Sequence, residues 1–180
     1  MDILAHGLWT GACAVGAKRK WKELSVRQSV FWGIAPDLLS FTVLFFWFVG
    51  SLLLGDLPLG HFPSPDSFEP SQAVTLPIFQ LTDLLYSISH SVVVFIIVFG
   101  LVWLFKRKPR WELFGWLFHI VIDIFTHEYA FYPTPFLWPL SDLKVDGYSW
   151  ARPWFMVINY LLLAGVYGWM VYKKRSSVTS

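Results

Sequence analysis

The segment WELFGWLFHIVIDIFTHEY, beginning at Trp111, holds the densest run of groups able to do metal or acid–base chemistry. His119 and Asp123 are four residues apart and His127 lies four further on, so all three project from nearly one face of a helix. Glu112 and Gly115 extend that polar or small stripe towards the start of the segment. Imidazole nitrogen and carboxylate oxygen at this spacing can converge on one divalent ion. The same stripe also suits a buried polar network or a proton or ion path, and spacing alone leaves the three open.

Three more places carry comparable groups. In FWGIAPDLLSF, Pro36 suits the opening of a helix and puts Asp37 in the first turn after it, where a carboxylate either caps local amides or serves as a ligand. In LLYSISHSVVVF, His90 is flanked by Ser89 and Ser91. Neighbours in sequence on a helix point different ways, so no Ser-His dyad is expected, and no G-x-S-x-G elbow supports serine-hydrolase chemistry. At the start of the chain, Asp2 and His6 stand in the apolar stretch DILAHGLWTGACAVGA. His61 lies among prolines and acidic groups, where solvation is the default, and Asp142 and Asp146 are expected in an aqueous layer.

The elements that must position these groups are membrane helices. The 180 residues are 56% apolar and 14% charged, with a mean hydropathy of +0.53. A soluble domain carries about 25% charged residues, so the balance favours lipid as solvent. Aromatic residues, 19% of the chain, gather near the ends of apolar runs, as interfacial belts require. Four segments are long enough for a layer of roughly 30 Å: Val30 to Leu54, Leu84 to Phe105, Trp111 to Phe131 and Trp154 to Tyr172. The expectation is an all-α integral membrane bundle of four transmembrane helices forming one domain. Residues 2 to 17 are too short for a full crossing and read as a half-span or an interfacial helix.

Lys and Arg counts orient the bundle. Twelve lie before the first span, between the second and third, and after the fourth, against only Lys144 and Arg152 in the other connections. Both termini are then cytoplasmic. The Pro-rich segment from Gly55 to Asp83 becomes an outer loop whose five prolines disfavour a long helix. Because the basic residues follow topology, the net charge of +2 gives no reason to expect a nucleic-acid partner. The single Cys13 excludes an internal disulfide, and no cleaved export signal is expected. Each Asp or His inside a span costs several kcal/mol unless paired or hydrated, which marks these residues as the place to look for function. At 1.5 Å per residue their depths allow Asp2, His6, His90, His119 and Asp123 to meet in one interior cavity, with Asp37 either at its mouth or a sign that the first span starts later than Val30.

The ordered set MDILAH, GIAPDL, SHS and HIVIDIFTHEYAFYPTPFLWPLSD resembles the YdjM-like family of bacterial and archaeal inner-membrane metal-dependent hydrolases. The resemblance runs from Asp2 to about Asp142. It matches Asp2 and His6, Pro36 and Asp37, His90 and Ser91, His119 and Asp123, Thr126, and Trp138 and Pro139. The chain has Leu85, Tyr86 and Ser87 where the family carries His-Arg-Gly.

The resemblance implies that the acidic and histidine members ligate a metal. The expectation is that His6, His90, His119 and Asp123 hold Zn²⁺, or Mn²⁺ or Mg²⁺ in its place, while Asp2 or Asp37 orients water or acts as general base. The expected activity is hydrolysis of a lipid-like or phosphoester substrate in a bacterial inner membrane or archaeal plasma membrane. The expected partners are membrane lipids and an amphiphilic small molecule. Two rivals use the same residues: a proton- or cation-coupled transporter, and a non-enzymatic membrane scaffold.

Overall fold

A computed structural model describes residues 1–55, 77–130 and 132–176. The expected Pro-rich outer loop, with His61, lies mostly outside the described residues. Among them the chain forms helices α1 (Ile3–Ala17), α2 (Val26–Leu54), α3 (Pro77–Ser89), α4 (Val92–Lys106), α5 (Phe114–Thr126) and α6 (Pro153–Ser176). A 3-10 turn, Trp111–Leu113, leads into α5.

Local signals account for several ends. Asp2 caps α1 by accepting from the Ala5 N–H, and Ser25 caps α2 by accepting from that of Gln28. Ser91 does the same for α4 through the Val94 N–H. Gly55, at φ 80°, closes α2 in the left-handed conformation that glycine adopts freely.

Helices α2 and α6 are long and apolar enough to cross a membrane, and α3 with α4 makes a third candidate, bent by 61° at the break between them. The segment expected to form another span, 111 to 131, differs. Its α-helical part is the 13 residues of α5, about 20 Å long and short of the roughly 30 Å required. Helix α1, at 15 residues, is about 22 Å long and also falls short.

The packing is polar inside and apolar outside. His6, Ser40, Thr82, His90, Ser91, His119 and Asp123 are buried, whereas Phe45, Phe46, Leu53, Ile96, Phe105 and Leu161 point outward. Water would oppose that distribution and lipid favours it. Helix α2 is the hub, packing against α1, α3 and α5, while α6 lies along α1. One apolar cluster joins Phe95, Leu113, Trp116 and Ile120, and a smaller one joins Met1, Ala5 and Leu163.

Two glycines permit close approaches to α2, Gly115 for α5 and Gly33 for α1. A Cβ on Gly115 would meet the Ser29 carbonyl oxygen at 2.2 Å, and one on Gly33 would meet Thr10 Oγ1 at 2.3 Å. Small residues let helix backbones approach this closely in lipid. Gly115→Val is therefore expected to force α5 away from α2 and cost at least about 1–3 kcal/mol, read as a lowered thermal midpoint in detergent.

Candidate metal centre

Three helical irregularities or faces bring the polar groups together. The first is the buried face of α5, which carries His119 and Asp123 at 0% and 1% exposure. Their four-residue spacing puts His119 Nε2 3.1 Å from Asp123 Oδ2.

The second is Pro36, which lies inside α2 rather than at its opening. Ser25 starts the helix earlier, so Asp37 projects from mid-helix and not from a first turn. Proline lacks the N–H that a helix interior uses, which relaxes the preceding turn. Ser40 Oγ lies 2.8 Å from the Pro36 carbonyl oxygen and 2.8 Å from Ser89 Oγ, tying α2 to α3 at this level.

The third is the break between α3 and α4, which exposes the His90 ring to both other elements. The Ser91 cap and the bond from Val92 N–H to the Phe136 carbonyl oxygen hold the new helix at its angle. The break also corrects the expectation about Ser89, whose Oγ lies 2.9 Å from His90 Nδ1 because the chain is no longer regular helix there.

One ligand atom each from Asp37, His90, His119 and Asp123 lies within 4.8 Å of the others, so this group can hold a metal ion. His90 Nε2 and His119 Nε2 are 3.0 Å apart, and each is 3.6 Å from Asp37 Oδ1. Asp123 Oδ2 is 3.5 Å from the first and 3.1 Å from the second. Bonds of 2.0–2.2 Å to a tetrahedral Zn²⁺ imply ligand–ligand edges of about 3.3–3.6 Å, the scale of these separations.

Backbone carbonyls set the imidazole tautomers. His119 Nδ1 lies 2.8 Å from the Gly33 carbonyl oxygen, which can only accept, so Nδ1 carries the proton there and Nε2 a lone pair. His90 Nδ1 lies 2.9 Å from Ser89 Oγ and 3.1 Å from the Tyr86 carbonyl oxygen, and a proton on Nδ1 suits both, leaving Nε2 a lone pair. Histidine ligands are oriented by this kind of outer contact. Two lone pairs facing each other at 3.0 Å repel unless a proton or a metal ion lies between them.

No protein-family model, curated protein or solved structure matches the chain. The chemistry therefore rests on the residues themselves.

Asp123 faces two ways. While Oδ2 turns to His90 and His119, Oδ1 lies 2.9 Å from His6 Nε2, 3.4 Å from Thr126 Oγ1 and 3.6 Å from His127 Nε2, and also accepts from the α-amino group of Met1. His6 stacks on His119 with centroids 3.7 Å apart. Thus His6 stands behind Asp123, outside the four-residue group but in direct contact with it. Asp37 is inside that group and, at 14% exposure, its most accessible member.

Asp2 lies further off. Its Oδ1 accepts from the Ala5 N–H at 3.0 Å and the Tyr160 hydroxyl at 2.8 Å, which anchors the start of α1 to α6. Tyr160→Phe is expected to cost about 1 kcal/mol of stability, measured by thermal unfolding, and to leave ion content unchanged.

Three contributors were missed from sequence. The Gly33 carbonyl and the Ser40 hydroxyl carry no sequence signal of a role. Tyr86 stacks on His90 at 3.9 Å and donates to the Tyr132 carbonyl oxygen at 3.2 Å. Its place four residues before His90 was the available signal.

Proposed function

We propose that the chain is a multi-pass membrane-bound metal-dependent hydrolase acting on a lipid-like or phosphoester substrate. The observation carrying this reading is the convergence of Asp37, His90, His119 and Asp123, with both Nε2 lone pairs turned inward by carbonyl contacts at Nδ1.

In this reading His90, His119 and Asp123 would hold a divalent ion, Zn²⁺ by donor set and spacing, with Mn²⁺ or Mg²⁺ as alternatives, and Asp37 would face the position left open for water. Such an ion supplies Lewis-acid polarisation of a phosphoryl or carbonyl oxygen and lowers the pKa of water. The residues do the rest. His6, with its Nε2 on Asp123 Oδ1, fixes that carboxylate so that Oδ2 stays aimed at the two histidines. Asp37, the least buried member, is where substrate enters and where a carboxylate is placed to orient water. Asp2 keeps α1, and with it His6, in register through Tyr160.

The setting is a bacterial inner membrane or archaeal plasma membrane with both termini in the cytoplasm. The Lys and Arg asymmetry and the helices of spanning length support it. The deciding experiment measures hydrolysis of phosphoester and phospholipid substrates by the purified chain before chelation, after it, and after reloading with Zn²⁺, Mn²⁺ or Mg²⁺. Activity lost on stripping, restored on loading, and absent from Asp123→Ala is the expected result. Cleavage indifferent to the ion refutes the proposal. Flux across sealed proteoliposomes without cleavage, abolished by Asp123→Ala, replaces it with the transporter.

A further inference from the structure

A second site lies at the end of the molecule where the basic connections gather. Two adjoining cavities share Trp21, Leu24 and Trp111, and the two indoles stack with centroids 5.3 Å apart.

The first cavity, about 340 Å³, runs between α1 and the start of α5, walled by apolar side chains including Ala14, Ala17, Leu117, Phe118 and Val121. Its floor is Thr10 and Gly115, at the α2–α5 crossing. From Thr10 to Ala17 its lining extends about 10 Å along α1. None of the four candidate metal ligands lines it.

The second cavity, about 610 Å³, is lined by Lys22, Lys106, Lys108 and Arg110, opposed by Glu23 and Glu112. Glu112 is buried and its Oε1 accepts from the Ser25 N–H at 3.2 Å, so this carboxylate is engaged in closing the start of α2. Among the described residues no ion pair forms on the four basic side chains, which are exposed. The arrangement is thus an apolar slot that adjoins, at two stacked indoles, a surplus of unpaired positive charge.

We infer that this compound cavity binds an anionic phospholipid, one acyl chain in the apolar slot and the phosphate on Lys22, Lys108 and Arg110. A chain alone would explain the slot but leave the four cations without a role, and a free phosphate would leave the slot unfilled. Basic pockets between helices at the membrane surface are suited to anionic headgroups, and indoles sit naturally at the level where headgroup meets chain. The volume of the apolar part falls within the range of small-molecule sites, about 300–1,000 Å³. The inference is independent of the hydrolase reading, since it needs neither an ion nor turnover.

Native mass spectrometry of the full chain, released from detergent after equal exposure to dioleoyl phosphatidylglycerol and dioleoyl phosphatidylcholine, tests it. Phosphatidylglycerol should be retained at least about fivefold more, the factor for one basic side chain at an anionic headgroup. Lys22→Gln/Lys108→Gln/Arg110→Gln should lose that preference with its ion content unchanged. Cys13→Trp, which fills the slot, should lower retention of both lipids. Equal retention of the two lipids by the parent chain overturns the inference, as does a preference surviving the triple substitution. Inorganic phosphate retained as well as phosphatidylglycerol also overturns it, in favour of a phosphate site without a chain.

Discussion

Elemental analysis of detergent-purified, chelator-free protein is expected to find about one divalent ion per chain, and none after Asp123→Ala or His119→Ala. The two substitutions remove the ion for different reasons. Asp123 supplies one oxygen to the four-residue group and with the other receives His6, Thr126 and the Met1 amine. Its loss therefore takes away a ligand and also the anion that neutralises its buried neighbours. Removing one partner from a buried charged network costs about 3–5 kcal/mol. For that reason Asp123→Asn, which keeps the shape, belongs beside the alanine variant and should also fail to hold the ion. His119→Ala leaves the Gly33 carbonyl oxygen without its donor, a smaller penalty of about 1–3 kcal/mol, so this variant should fold and still be ion-free. Ion content unchanged in folded Asp123→Asn and His119→Ala would sink the assignment.

Hydropathy located α2 and α6 within a few residues because each is one uninterrupted helix whose outward faces are apolar. It did not register the breaks where a polar side chain took over a backbone bond. The run from Leu84 to Phe105 reads as one apolar span, yet Ser91 caps a new helix and bends the chain by 61°. Serine ahead of VVVF is a helix-start signal, and hydropathy averages it away. Likewise Ser25 with Gln28 was available as a capping pair, and would have started α2 ahead of Val30 and put Pro36 in its interior. In 111 to 131 the helix stops at Thr126 because the backbone of His127 turns extended, at φ −114° and ψ 141°. The following loop then bonds back to the helix end through Gly147, Tyr148 and Trp150. Those bonds join residues some twenty positions apart, which a window of local composition cannot register.

Part of the candidate group was legible in local spacing. His119 and Asp123 meet because of helical spacing alone, a local property. Depth arithmetic put His6 and His90 at the same level, and they do contact Asp123 or its partners. The same arithmetic left Asp37 at the cavity mouth and Asp2 inside. In the structure Asp37 is among the converging groups and Asp2 caps α1. Depth measures position along the membrane normal, whereas membership of the group depends on which way each helix turns its faces. That rotation is set at the Gly33–Gly115 crossing and by the Tyr160 contact, both long-range.

Ion binding should also be visible as stability. With His119 Nδ1 and His90 Nδ1 protonated by their carbonyl contacts, the stripped protein sets two Nε2 lone pairs 3.0 Å apart beside two carboxylates. A divalent ion relieves that repulsion and neutralises the carboxylates together, and the unfolded chain has no such preformed group. At free ion a hundred times the dissociation constant the folded state gains about 2.7 kcal/mol, so the thermal midpoint should rise on loading and fall on chelation. His119→Ala, having lost one of the two facing lone pairs, should show no such shift. The signs discriminate between readings. A midpoint indifferent to Zn²⁺, Mn²⁺ and Mg²⁺ in the parent means that a proton occupies the space between the two rings. The cluster is then a proton path or a packing network, and the transporter or the scaffold takes the place of the hydrolase.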